Sequence, residues 1–343
     1  MQYENFELFN VAEVEKTKDG FILRRFPVDV IENLTLPLYD KDGNYTEEWI
    51  GHRYYAKQLA GAEIRFFSHA TEVALKAKAI ENGIINVYHG DFLLKSEFVK
   101  EGETLDTVFK RNNFVNGIPK KNCNRFNPNV WRICFANGPF EILKVKPNAR
   151  RRLPKQTELP KKKVLCYGSS ITFGGGTPYS YLSYISVMAN ALGFDVLNKG
   201  ISGGCQCDKG IKDYLLTEDF DYGYFELCIN IAERPLWLIE ERMGTLIDEF
   251  CTKFPDKKMF FVTPYMYGAD ISKSADDYSN EFVKPVKVLT EHAKKYPNAI
   301  IIDGNKILDK TYYFSADLEH PAEFGHVMQG LNLAKIIKKH IKN

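Results

Sequence analysis

Gly168-Ser169-Ser170-Ile171-Thr172 directly follows a short apolar run, Val164-Leu165-Cys166-Tyr167. A serine on a tight turn after a strand can present its hydroxyl at the edge of a sheet. That hydroxyl is a poor nucleophile until a base takes its proton, and a carboxylate must hold the base in the right tautomer. Asp317-Leu318-Glu319-His320-Pro321, near the end of the chain, offers such a pair. If the segment makes one turn, Asp317 folds back onto Nδ1 of His320 and leaves Nε2 facing Ser170. Acyl chemistry also needs N–H donors aimed at the negative charge that develops on the carbonyl oxygen. The glycine-rich stretch 198–204 and the side-chain amide of Asn230 could supply them. Each piece alone has a plainer reading, as a serine-rich turn, a surface Asp/His pair, or a helix N-cap at Asn230. Their conjunction on strand-following loops is what points to a serine nucleophile.

Those loops need a sheet to place them. Beyond about residue 163, short apolar strands at 164–167, 194–198, 224–229, 259–263 and 299–303 alternate with amphipathic stretches. Helices are predicted at 179–192, at 233–254, ending near 295, and at 323–342. In the first of them Leu182, Ile185, Met188, Ala189 and Leu192 share one face. Strands interleaved with helices predict an α/β fold with a parallel sheet covered on both faces. Its functional residues gather beyond the carboxyl ends of the strands.

The first 150 residues have a different rhythm. Short alternating segments at 21–26, 62–68, 71–79, 84–89, 130–136 and 140–145 are separated by turn signals such as 41–44 and 137–139. They predict a β-sandwich of the jelly-roll sort over residues 1–150, ahead of a catalytic domain over 151–343. The stretch between, NARRRLPKQTELPKKK at 148–163, holds two prolines and many cations, and reads as a solvated linker.

Bulk properties narrow the function further. A formal charge of +2 gives no argument for nucleic acid or a membrane surface as partner. No apolar run approaches the ~18 residues of a spanning helix. The start lacks the basic and apolar regions of a signal peptide. Seven cysteines, an odd number set mostly in apolar stretches, suit reduced buried thiols and a cytoplasmic setting. Cys205-x-Cys207 has no second pair at zinc spacing, and 174–176 lacks the Lys-Ser/Thr of a phosphate loop. Thr172 stands where the α/β-hydrolase elbow needs glycine. The tyrosines at 179, 181 and 184 could stack on a sugar, although helix packing explains them equally.

In this order the pieces resemble the SGNH (GDSL-type) hydrolase family, from about residue 160 to the end. GSSIT resembles its first block, usually Gly-Asp-Ser, with Ser170 as nucleophile. Gly203 matches the second-block glycine whose N–H serves the oxyanion hole, and Asn230 the third-block asparagine. Asp317 and His320 match the final Asp-x-x-His-Pro block, and Gly325-His326 the sequence that follows it. Three departures stand out: Ser169 replaces the aspartate, Cys228 a usual glycine, and Ile231 a frequent acidic residue. The resemblance implies a flavodoxin-like three-layer domain and catalysis by Ser170, His320 and Asp317. Its oxyanion hole would combine the Ser170 and Gly203 amides with Asn230. No metal or organic cofactor is required. A preceding β-sandwich is similar to a branch of carbohydrate acetyl esterases, implying a short acyl ester, acetyl on a small molecule or oligosaccharide. Two rivals remain, an acyltransferase using the same acyl-enzyme and a carbohydrate-binding protein with an inert esterase domain. Oligomeric state is left open, a homo-oligomer included.

Overall fold

Alternation of side chains explains the second half of the chain. In the strand Lys163–Gly168, Val164 and Cys166 enter one apolar core while Leu165 and Tyr167 enter another. Such a strand is buried on both faces and reads as a continuous apolar run. The structure, a computed structural model, describes residues 1–39, 44–115, 117–273 and 280–341. Residues 41–43 of the turn signal at 41–44 and the last predicted helical residue, Lys342, lie outside the described residues.

The parallel sheet runs in the order Asp195–Asn198, Lys163–Gly168, Tyr222–Glu226, Met259–Val262, Ala299–Ile302. Every neighbouring pair is parallel. The chain thus leaves the first strand to one side and returns on the other. That reversal opens a crevice at the carboxyl end of Lys163–Gly168, where α/β sheets hold their ligands. Helices Tyr184–Leu192 and Glu323–Lys338 cover one face, while Thr245–Lys253 and Val283–Ala293 cover the other. All five predicted strands are present.

Helix boundaries differ from expectation at several ends, the last helix closing at Lys338 rather than 342. The predicted helix at 179–192 opens as a 3₁₀ turn, Ser180–Leu182, and becomes α-helical only at Tyr184. The predicted helix at 233–254 starts at Leu236, because Pro235 restricts the residue before it. It then widens into a π-helical stretch, Glu240–Gly244, before continuing as Thr245–Lys253. There the ring of His292 lies close over Gly244, hydrogen-bonds Glu240 and comes within 2.9 Å of Asp248.

The first half forms two antiparallel sheets that share a core. One contains Ala62–Ser68, Val130–Asn137 and Gly83–His89, and the other Glu72–Ala79 and Phe140–Pro147. Ile64, Ile133 and Val87 meet Val73, Leu75 and Ile142 between them. A separate hairpin, Leu36–Tyr39 with Tyr45–Trp49, extends from this half.

The stretch at 148–163 is not a free linker. Arg151–Arg152 adds a short strand to Ala62–Ser68, and Arg152 pairs with Glu158 while lying over the Phe67 ring. Buried charge holds the halves together more widely. Arg65 makes a two-pronged contact with Asp195, at 2.6 and 2.9 Å, and also pairs with Glu63. Arg25 is fully buried, and its guanidinium donates to the carbonyls of Gln58, Asn198, Gly200 and Tyr55. Phe26, Ile31 and Leu34 complete the apolar core on one face of the parallel sheet.

Breaking one member of a buried charge pair strands the other. Arg65→Ala is therefore expected to lower unfolding stability by about 3–5 kcal/mol in urea titrations. A loss below about 1 kcal/mol would show that the junction does not depend on this pair.

Candidate active site

Ser170 is the first residue of a one-turn helix, Ser170–Phe173, that begins where the strand Lys163–Gly168 ends. The sequence pattern had placed the next helix near 179, and so missed this turn. Ser169 caps it, its Oγ accepting from the Ile171 amide at 3.2 Å. The turn is tight because Gly168 has no side chain. A Cβ there would lie 2.3 Å from Thr172 Oγ1 and 2.8 Å from Glu226 Oε2. The first amides of a helix have no intrahelical partner, so the Ser170 N–H is free to serve a ligand.

Ser170 Oγ lies 2.6 Å from Nε2 of His320, and Nδ1 of His320 lies 2.9 Å from Asp317 Oδ2. The structure therefore brings Ser170, His320 and Asp317 into one hydrogen-bonded chain. The loop carrying the last two is pinned closed. Phe314 bridges to Pro321, and the Ser315 amide donates to the His320 carbonyl at 2.9 Å. The Ser315 hydroxyl donates to Asp317 Oδ1, at 2.7 Å. Leu318 adopts φ +57°, a region that costs a branched side chain energy and persists only when its surroundings impose it. Partial burial would raise the Asp317 pKa, but the amides of Glu319 and His320, with Ser315 and the imidazole, hold it well below the usual range. Asp317 is thus an anion at any working pH and fixes the proton on Nδ1.

His326 supports this arrangement from behind. Burial lowers its pKa to about 4, so the ring is neutral. Nδ1 then accepts from the Tyr184 amide at 3.2 Å, and Nε2–H donates to the Gly175 carbonyl at 2.6 Å. Both helices over this face are thereby tied to the segment after the Ser170 turn.

Gly203 and Asn230 line one cavity with Asp317 and Ile171, the neighbour of Ser170. Gly203 has φ +66°, which favours glycine, and the Trp49 ring packs against it with no room to spare. Asn230 does not cap the helix that starts at Leu236, whose cap position is Pro235. Its Oδ1 accepts from the Cys205 amide at 3.1 Å, which leaves Nδ2 as a donor at the cavity wall. Cys205 and Cys207 are buried free thiols.

Two residues escaped the sequence reading. Ser315 lies two positions before Asp317, at a spacing that suits a local turn. Glu226 ends its strand as a buried carboxylate beside the Ser170 turn, accepting from the Ser169 amide at 2.8 Å and the Ser169 hydroxyl at 2.6 Å. A charged residue inside an otherwise apolar predicted strand, 224–229, was its only signal.

The cavity measures about 720 Å³, within the usual range for small-molecule sites. Trp49 and Leu38 come to it from the hairpin of the first half, and Tyr267 and Phe282 from the second. Gln206, Glu233, Arg234, Glu281 and Glu319 give it a polar share.

A family model described as GDSL-like lipase/acylhydrolase matches residues 161–338. No curated protein matches the chain in sequence. Among solved structures, the chain is similar to a salicylyl-acyltransferase from a tetracycline biosynthetic pathway, with TM-score 0.72 and 13% identity over 98% of this chain and 95% of that one. It is similar to a GDSL-like lipase from Bacteroides ovatus, with TM-score 0.64 and 16% identity over 97% of each chain. A family two carbohydrate esterase from Clostridium thermocellum aligns with TM-score 0.59 and 15% identity, over 82% of this chain and 93% of that one. These likenesses are of fold, and span both halves of the molecule.

Two substitutions test the site with p-nitrophenyl acetate as substrate. Asn230→Ala is expected to lower kcat by roughly 10²–10³ with KM little changed, since the amide bonds the oxygen only as charge develops. Normal kinetics with earlier melting would reduce Asn230 to a structural residue. Asp317→Asn is expected to cost up to about 10⁴ in kcat by allowing the wrong tautomer. A loss under about tenfold would mean that something else orients His320.

Proposed function

The chain belongs to the GDSL-like lipase/acylhydrolase family, and from that premise we propose that it is a serine esterase working through an acyl-enzyme. The observation that carries this reading is the hydrogen-bonded chain Ser170–His320–Asp317. His320 Nε2 takes the proton of Ser170 Oγ as the oxygen attacks the ester carbonyl. The oxyanion is held by the amides of Ser170 and Gly203 and by Asn230 Nδ2. Asp317 stabilises the imidazolium, which then protonates the leaving alcohol. A water then gives a proton to His320 as its oxygen attacks the acyl carbonyl; the bond to Ser170 Oγ breaks, Oγ takes the proton back from His320, and the acid leaves. No step calls on a metal or an organic cofactor.

The substrate we propose is a short acyl ester, acetyl foremost, on a sugar or oligosaccharide. Aromatic rings beside carboxylates and amides suit a sugar, which offers apolar faces and a rim of hydroxyls. The fold shared with a family two carbohydrate esterase supports the same reading. Residues 1–150 would be a jelly-roll unit and 151–343 the catalytic unit, with the first lending Leu38 and Trp49 to the substrate. Seven free cysteines fit a reducing, cytoplasmic setting, and among the described residues no helix is long and apolar enough to cross a membrane.

Acyl transfer is the second reading. The fold is shared with an acyltransferase, and acetyl alone would fill little of a cavity of about 720 Å³. One screen separates the readings. Acetylated mono- and oligosaccharides and p-nitrophenyl esters of rising chain length are assayed with and without added alcohol acceptors. Hydrolysis of acetyl sugars, with no acylated acceptor by mass spectrometry, supports the esterase. Acylated acceptor as main product would replace it with the transferase. Ser170→Ala should lose turnover by a factor on the order of 10⁴–10⁶ with unchanged melting. Full activity in that variant would end the nucleophile assignment.

A further inference from the structure

Ser169 occupies the position where the Gly-Asp-Ser block carries a carboxylate, yet a carboxylate is still present at this turn. It arrives from the adjacent strand. Glu226, the last residue of Tyr222–Glu226, is 2% exposed, and one oxygen, Oε2, accepts three hydrogen bonds. The donors are the Ser169 amide at 2.8 Å, the Ser169 hydroxyl at 2.6 Å and the Thr172 hydroxyl at 3.2 Å. Among the described residues none of its hydrogen-bond partners is a cation, and its other oxygen, Oε1, is buried without a protein donor. A buried carboxylate so placed costs stability unless its donors are well aligned. Its place one residue from the nucleophile implies a use.

We propose that Glu226 is a positioning residue for Ser170, supplying from the neighbouring strand the carboxylate that the chain lacks at position 169. Ser169 is gripped through both its amide and its hydroxyl by the same oxygen. The same hydroxyl caps the helix by accepting from Ile171 N. The backbone on either side of Ser170 Cα is thereby fixed, and Oγ is held within 2.6 Å of His320 Nε2. The hydroxyls behind the turn are aligned by the same acceptor. Thr172 donates to Glu226, so Tyr184 must donate to Thr172, at 2.7 Å, and Tyr265 in turn to Tyr184. An ionised carboxylate, which can only accept, sets that direction for the whole chain.

The groups facing Glu226 are consistent with a titration near neutrality. Burial raises its pKa, three hydrogen bonds offset part of that, and Glu319 on the catalytic loop adds a like charge, giving about 7. Cys205, whose Sγ contacts the Glu226 carbonyl, and Cys228 are held neutral by burial, as are Tyr184, Tyr224 and Tyr265. Protonation as pH falls through 7 weakens the grip on Ser169, so activity should fall more steeply than the titration of one base requires.

The inference rests on Ser170 being the nucleophile, and a fluorophosphonate probe tests the two separately. Wild type is expected to be labelled at Ser170, as read by peptide mass spectrometry. Glu226→Gln, nearly isosteric, should label more slowly and lose kcat by about ten- to a hundredfold through misplacement of the nucleophile. KM should stay within about threefold, and the acid limb of the pH profile should become shallower by one ionisation. A Glu226→Gln protein that labels and turns over like wild type, with an unchanged pH profile, overturns the proposal and leaves the nucleophile standing. So does one that merely melts earlier with normal kinetics. Wild type that takes no label at Ser170 overturns both.

Discussion

A hydrogen bond of 2.6 Å between Ser170 and His320 joins residues 150 positions apart, and the rest of the fold is arranged to hold its two ends. Neither end belongs to a long element. Ser170 opens a helix of one turn, and His320 sits in a loop between the last strand and the last helix. A contact of this length fails if either end shifts by an ångström, which is also the scale at which catalysis is lost. Each end is therefore tied more than once. The serine end is closed by Gly168, capped by Ser169 and anchored on Glu226. The histidine end is closed by the Phe314–Pro321 bridge and by Asp317, which bonds both the ring and the amide of the same residue. His326 then links the segments after the two ends through Gly175.

The third corner, the loop at 198–204, is held from the other half of the molecule. Arg25 is buried, and burial lowers its pKa to about 9. Four carbonyls accept from it, those of Asn198 and Gly200 lying just before Gly203. Lys199 is treated alike: burial lowers its pKa to about 8, and its ammonium bonds the Arg25 carbonyl and pairs with Glu218. Two buried cations on one junction are an expensive way to join two units. They also specify a single arrangement, because a shifted loop would leave a charge without acceptors. The first half is thus part of the mould for the cavity, and Trp49 against Gly203 is its inner surface.

The sequence made the parallel sheet legible because both of its faces are apolar, so every strand shows as a run such as Val164–Tyr167 or Met259–Val262. Ser170, Asp317 and His320 were legible because each follows a strand and the chemistry needs those types. What sequence hid depends on tertiary contact. The turn at Ser170–Phe173 is too short to show a helical period. The stretch at 148–163 has a linker's composition, yet Arg152 finds Glu158 and Phe67 only in the folded chain. Glu226 reads as a lone charge inside the apolar run 224–229 until Ser169 is placed beside it. Trp49 lies 154 positions before Gly203, and no spacing rule could pair them.

What the proposed acyl-enzyme would do next is a matter of which molecule reaches Ser170. Water needs only a path, while an alcohol needs walls that align it. The cavity beside the nucleophile supplies walls from both halves: Trp49 and Leu38 from the hairpin, Tyr267 and Phe282 opposite. Shape of this kind excludes water in proportion to how well it is filled. On the proposed mechanism, an alcohol that has left the walls empty would open the path to water. An acceptor that fits them better than water does would be acylated instead. The proposed triad would be indifferent to that choice, since His320 could take a proton from either water or an alcohol. On that mechanism the partition between hydrolysis and transfer would belong to the cavity, and through Trp49 and Arg25 to the half of the chain that lies before Ser170.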